Sequence, residues 1–239
     1  MKKFIPLLSI LTIGLWASDF WQSKPYTDWS DKEVQKIQTN SPWSKEVSVS
    51  MGEGGSGHSG RGSRAGGGGS VGGDDQIATG AGGSGGGRSQ DPSLMGGPSM
   101  NLIVSWRTAL PVRQAVAKEK YGAEAATSPD AKKLVEEDQK YYGVLVSGLP
   151  GRAVRANDQM KAALLKNTSL LVKGKDPIAP ADIQTGGNEQ KALVIFLFPR
   201  TAALSLDDKE VEFSTRFGPL VVRQKFRLKE MVFNGKLEL

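Results

Sequence analysis

Residues 192–198 read Ala192-Leu193-Val194-Ile195-Phe196-Leu197-Phe198, seven apolar side chains without a polar break. A run this short, rich in β-branched and aromatic residues and closed by Pro199, predicts a strand and not a helix. Apolar residues at both parities mean that both faces are covered, so the strand belongs inside a sheet.

Working outward, the same logic places further elements. Leu102, Val104 and Trp106 line one face of a strand over 101–107, and Tyr141 to Val146 and 169–173 read as strands. Helices are expected from Pro111 to Tyr121, stopped by Gly122, from Ser128-Pro129, and from Asn157 with Met160, Ala163 and Leu164 inward. Beyond Phe198 the chain turns to hairpins. Helices and strands mix without steady βαβ alternation, so the expected fold class is α+β: a mostly antiparallel sheet packed with three to four helices.

The 19–50 segment also carries structure signals. Ser30-Asp31-Lys32-Glu33 is a capping box, Trp29 and Val34 form a hydrophobic staple, and Asn40-Ser41-Pro42 ends the helix. Val47 and Val49 alternate in a strand over 46–50. Residues 51–100 are different material, with twenty of the thirty glycines of the chain and only Val71 and Ile77 as β-branched aliphatics. So little apolar surface cannot offset the entropy of ordering that much glycine, and a flexible, disordered insert is expected. The 31 residues before it are too few to fold alone. The expected organisation is therefore one α+β domain of residues 19–50 and 101–239, its first two strands joined through the insert. Lengthening a hairpin loop to about fifty residues costs only about 2 kcal/mol.

At the N-terminus Lys2 and Lys3 precede an apolar run from Phe4 to Trp16, then Ala17, Ser18 and the charged Asp19. This layout predicts a secretory signal peptide over 1–17 and a periplasmic or extracellular protein. The run is shorter than the about 20 residues a membrane span needs, so no transmembrane helix is expected after cleavage.

The composition narrows the chemistry. There is no cysteine and one histidine, His58, inside the glycine tract. That argues against thiol catalysis, His/Cys zinc sites and histidine-based triads, so no catalytic residue, metal or cofactor is assigned. The net charge of +6 sits in 101–239, interleaved with acids, which argues against a nucleic-acid groove.

Two sets of residues stand out as binding candidates. Arg223, Lys225, Arg227 and Lys229 alternate and share one strand face, a basic ladder able to grip phosphates or an anionic glycan. The preceding strand carries Asp208, Glu210 and Glu212, and a turn near Phe217-Gly218-Pro219 pairs Glu212 with Arg223, Glu210 with Lys225 and Asp208 with Arg227. Charge pairing across strands is the first reading and anion binding the second. Trp21 and Trp43, with Trp29 and Trp106, are numerous enough to suggest sugar stacking, although core packing is their ordinary use. Gly52-Glu53-Gly54-Gly55-Ser56-Gly57 fits the dinucleotide pattern but has no helix after it. Asp74-Asp75 lacks the nine-residue calcium period, and Gly148-Leu149-Pro150-Gly151 reads as an ordinary turn.

Several phrases carry a resemblance as a set: Trp29-Ser30-Asp31-Lys32-Glu33-Val34, Ser41-Pro42-Trp43, Phe198-Pro199-Arg200, Leu206-Asp207-Asp208-Lys209-Glu210-Val211-Glu212-Phe213, Phe226-Arg227-Leu228-Lys229 and Gly235-Lys236-Leu237-Glu238-Leu239. They resemble a family of uncharacterised exported proteins from soil bacteria, over 24–50 and 101–239. The resemblance implies export and one domain and says nothing of mechanism. The expected function is a non-enzymatic envelope or extracellular domain that binds a partner protein or an anionic or glycan ligand. The alternative is a glycoside-processing enzyme or carbohydrate-binding protein using Asp/Glu and Trp.

Overall fold

The computed structural model describes residues 19–50, 99–154, 157–188 and 190–239. Residues 1–18, with the expected signal peptide, and the glycine-rich tract with the motifs within it lie outside the described residues.

The described residues open with one helical turn, α1 (Phe20–Ser23), then a 3-10 turn (Tyr26–Asp28) and α2 (Asp31–Thr39). The capping box at the start of α2 is formed: the backbone N–H and hydroxyl of Ser30 both donate to Glu33 Oε2, at 2.8 and 2.7 Å. Strands β1 (Ser44–Ser50) and β2 (Ser99–Trp106) follow, then α3 (Leu110–Tyr121) and α4 (Pro129–Glu136). Pro111 sits in the first turn of α3, and Gly122 ends it with φ +54°. Next come β3 (Tyr141–Leu149), α5 (Asp158–Lys166), β4 (Ser169–Val172), β5 (Asp182–Gly187) and β6 (Ala192–Pro199). The Asn157 carboxamide caps α5 by accepting the Met160 N–H at 2.7 Å. Strands β7 (Glu210–Phe217), β8 (Leu220–Arg227), β9 (Val232–Phe233) and β10 (Lys236–Leu237) complete the fold.

Every ladder is antiparallel, and the α+β class holds. Among the described residues the strands form three sheets instead of one: a five-stranded sheet in the order β1-β2-β3-β6-β5, a three-stranded sheet β4-β7-β8, and the β9-β10 hairpin. A fifth helix, α1, joins the four the sequence pattern gives. Strands β1 and β2 pair from Ser44 opposite Ser105 to Ser50 opposite Ser99, so the insert leaves and re-enters at one strand pair.

Strand β6 lies between β3 and β5, inside the sheet as its sequence predicts. Its two faces differ, however. Ala192, Val194, Phe196 and Phe198 are buried, while Leu193, Ile195 and Leu197 are half-buried. The buried face meets the three-stranded sheet through rings: Phe196 lies 5.5 Å from Phe213 and 6.2 Å from Phe217, and Trp106 stands edge-on to Phe226 at 5.9 Å. Such tilted and edge-to-face pairs add to burial because ring edges are electropositive and ring faces electronegative. One buried cluster runs from Trp21, Trp29 and Trp43 through both sheets to Phe233 and Leu239, joining residues from both sides of the insert. Among the described residues no helix is long and apolar enough to cross a membrane.

Candidate functional site

The N-terminal segment, α3 and the β9-β10 hairpin meet around a cavity of about 370 Å³ lined by Trp21, Gln22, Ser23, Lys24, Pro25, Tyr26, Gln114, Phe233 and Asn234. Local sequence explains each wall. Asn234 and Gly235 are the two residues between β9 and β10, and both have positive φ, +48° and +76°. That is the type I′ hairpin turn for which Asn-Gly is the preferred pair. Gln22 ties α1 to this hairpin, its Nε2 donating to the Val232 carbonyl at 2.8 Å and its Oε1 accepting the Asn234 N–H at 3.4 Å. The Tyr26 hydroxyl donates to the Ala125 carbonyl at 3.0 Å, and the Lys118 ammonium donates to the Thr27 carbonyl. These bonds hold the segment 20–28 against α3 and the 3-10 turn (Gly122–Ala126) that follows it.

The electrostatics of the wall are settled by pairing. Lys24 Nζ lies 2.7 Å from Glu33 Oε2. Hydrogen bonds from Lys24 and from the backbone and hydroxyl of Ser30 pull the Glu33 carboxyl from its ordinary value near 4.5 down to about 2. Burial, with the Glu136 carboxylate as a lesser cause, pushes the Tyr26 phenol up, so it stays neutral. Among the described residues the lining carries rings, amides, the Ser23 and Tyr26 hydroxyls and one ion-paired ammonium, and no carboxyl group.

Of the tryptophans, Trp21 lines this cavity while only 5% exposed, and Trp43 is fully buried. Trp43 packs edge-on against Trp21 at 5.9 Å and Phe233 at 6.3 Å, and its Nε1–H donates to the Glu238 carbonyl at 3.0 Å. No face of that ring is open to a sugar, so Trp43 is a core residue that supports Trp21. Trp29 and Trp106 are buried as well.

The basic ladder is present over three of its four residues. Arg223, Lys225 and Arg227 share one exposed face of β8, whereas Lys229 lies beyond the strand in a 3-10 turn (Leu228–Glu230). The acidic partners sit two residues away from the expected register: Glu212 opposes Lys225, Glu210 opposes Arg227, and Ser214 opposes Arg223. The cause is the turn. Phe217 pairs with Leu220, leaving Gly218-Pro219 as a two-residue loop with Gly218 at φ +60°. The expected register would place Pro219 in the first ladder pair, where its missing N–H is a handicap. Lys225 lies 3.1 Å from Glu210 and 3.8 Å from Glu212. The Glu210 carboxylate, by hydrogen bond and charge, raises the Lys225 pKa, with Glu212 adding to it. Arg227 turns instead to Glu230 at 3.1 Å.

Asp208 leaves the ladder altogether. It caps the 3-10 turn (Leu206–Asp208) by accepting the Ser205 N–H at 2.8 Å and pairs with Lys175 at 2.6 Å. Burial opposes its ionisation, but Lys175 and Ser205 outweigh that and hold its pKa below the usual value. Gly148 sits at an irregularity in the β3-β6 ladder with φ +88°, where a Cβ would come within 3.0 Å of the Asn101 carbonyl. Gly148 is thus a backbone requirement of the sheet. Among the described residues no three His, Asp or Glu side chains are grouped to hold a metal.

Sequence reading alone reached Trp21 but missed Gln22, Tyr26, Gln114, Phe233 and Asn234. They come from three separated stretches of chain, and only the Asn234-Gly235 pair carries a local signal. No protein-family model, curated protein or solved structure matches the chain.

Proposed function

We propose that this chain is an exported, non-enzymatic binding domain whose ligand site is the cavity between α1, α3 and the β9-β10 hairpin. The observation that carries this reading is the lining. Three aromatic side chains and several amides converge from distant parts of the chain on a space within the usual size range of small-ligand sites. Export rests on the basic, apolar and small-residue order of residues 1–18. The wall supports binding over catalysis, because glycoside processing needs two carboxyl groups across the ligand and the lining provides none.

Hydrogen exchange of the chain, alone and with the small-molecule fraction of a bacterial envelope extract, tests the site. Added protection at 20–26, along α3 and at 232–235 supports it. Protection confined to the exposed face of β8 would move the site to the basic ladder and sink this proposal.

A further inference from the structure

On the outer face of the β4-β7-β8 sheet we propose an oxyanion site, in which Arg216 of β7 and Arg223 of β8 together hold a phosphate monoester group. None of its residues lines the cavity, so it stands independently of that reading. The register builds it. Ser169 of β4 opposes Ser214, and Ser214 opposes Arg223, which sets two hydroxyl residues and a guanidinium in one row across three strands. Leu171, Glu212 and Lys225 form the next row. On the other side, toward the Gly218-Pro219 turn, Arg216 opposes Val221. Arg216 has the parity of Ser214, so it shares this face and is the diagonal neighbour of Arg223. Both arginines are exposed and both serines half-buried. Diagonal positions on paired strands lie about 7–8 Å apart, a gap that two long side chains can close on one small anion.

Ion pairing divides the face in two. Lys225 lies 3.1 Å from Glu210 and 3.8 Å from Glu212, and Arg227 lies 3.1 Å from Glu230. That half carries its own counter-charges. The two-residue shift in register leaves Arg223 opposite a serine instead of Glu212. Among the described residues neither Arg216 nor Arg223 is ion-paired, and neither guanidinium donates a hydrogen bond. Folding gains nothing from two like charges on neighbouring strands, whereas an anion between them turns repulsion into attraction. The charge of that anion follows from the pair. A carboxylate, planar and singly charged, is met by one guanidinium fork. Two forks suit a tetrahedral group with charge near −2, which is a phosphate monoester. The Ser214 and Ser169 hydroxyls stand in the same row as further donors. Free phosphate, a sugar phosphate and a lipid phosphate all present this chemistry.

The test is a titration of the full chain, followed by amide NMR shifts, with inorganic phosphate, glucose 6-phosphate and, at matched ionic strength, acetate. Sedimentation with phosphatidylcholine vesicles, with and without phosphatidate, covers the lipid source. A pH of about 7.5 keeps the phosphate group, whose second pKa is about 6, doubly charged. The expected result is a saturable shift at Ser169, Ser214, Arg216 and Arg223 with a soluble phosphate, or sedimentation that requires phosphatidate; either supports the site and names its source. Arg216→Gln and Arg223→Gln should each weaken binding by about fivefold or more, because each removes a charge-assisted fork. Lys225→Gln and Arg227→Gln remove exposed charges of the same face that are already paired, and should stay within about twofold. Arg223→Lys, which keeps the charge without the fork, should fall between and guards against a loss caused by misfolding. Equal losses from all four cations would overturn the site in favour of a diffuse surface field. Acetate binding as tightly as phosphate would overturn the ligand class, and no response on this face to any phosphate-bearing probe would overturn the proposal.

Discussion

Glu33 Oε2 receives three donors, the Lys24 ammonium and the backbone and hydroxyl of Ser30, and so joins the start of α2 to the segment that walls the cavity. Replacing Ser30 by Ala should cost about 1 kcal/mol, the usual value of a helix N-cap, read as a lower denaturant midpoint. The Glu33 pKa falls from near 4.5 to about 2 on folding, so its contribution is complete above pH 4.5 and is lost as the pH drops toward 2. Glu33→Gln should therefore flatten the acid side of the stability profile in that window. An unchanged profile would show that the carboxylate is not coupled to folding. This box was legible in the sequence because every participant lies within ten residues. Gln114 was not legible: nothing near it in the chain tells that Trp21 and Asn234 share its surroundings.

At the scale of elements, the β7-β8 hairpin shows how a two-residue shift in register redistributes charge without turning any side chain to the other face. Glu212 opposes Lys225, so Lys225→Glu places like charges in contact and should lower the melting temperature, by an amount that shrinks as salt is added. Arg223 opposes Ser214, so Arg223→Glu should have the smaller effect. The expected register opposes Arg223 to Glu212 and Lys225 to Glu210, so both variants would clash there, and the small effect of Arg223→Glu separates the two arrangements. Alternation made the exposed face readable, but the turn that sets the register rests on the single N–H that Pro219 lacks. At the end of β5, Gly187 has φ +95°, and a Cβ there would come within 2.2 Å of the Lys191 carbonyl oxygen. Gly187→Ala should accordingly destabilise by more than about 1 kcal/mol, measurable by urea unfolding.

Over the whole molecule, the buried cluster draws on both sides of the glycine-rich tract. Trp43, before it, is buried against Phe233, after it, and hydrogen-bonds the Glu238 carbonyl. Trp43→Ala should cost about 3–5 kcal/mol, the usual penalty for emptying a large aromatic site in a core. The hydrophobic alternation of single strands was readable in the sequence, and so was the joining of β1 to β2 across the tract. The division of the ten strands among the described residues into three sheets was not, because it depends on which apolar face meets which, and that is a property of pairs far apart in the chain.

The most direct measurement on this account is calorimetric unfolding of a chain in which residues 51–98 are replaced by a two-residue turn joining Ser50 to Ser99. One domain built from both flanks predicts a single cooperative transition at a temperature no lower than that of the full chain, with stability raised by about 3 kcal/mol from the shorter loop. Two separated transitions, or loss of folding, would contradict the single domain and, with it, the cavity that its two flanks enclose.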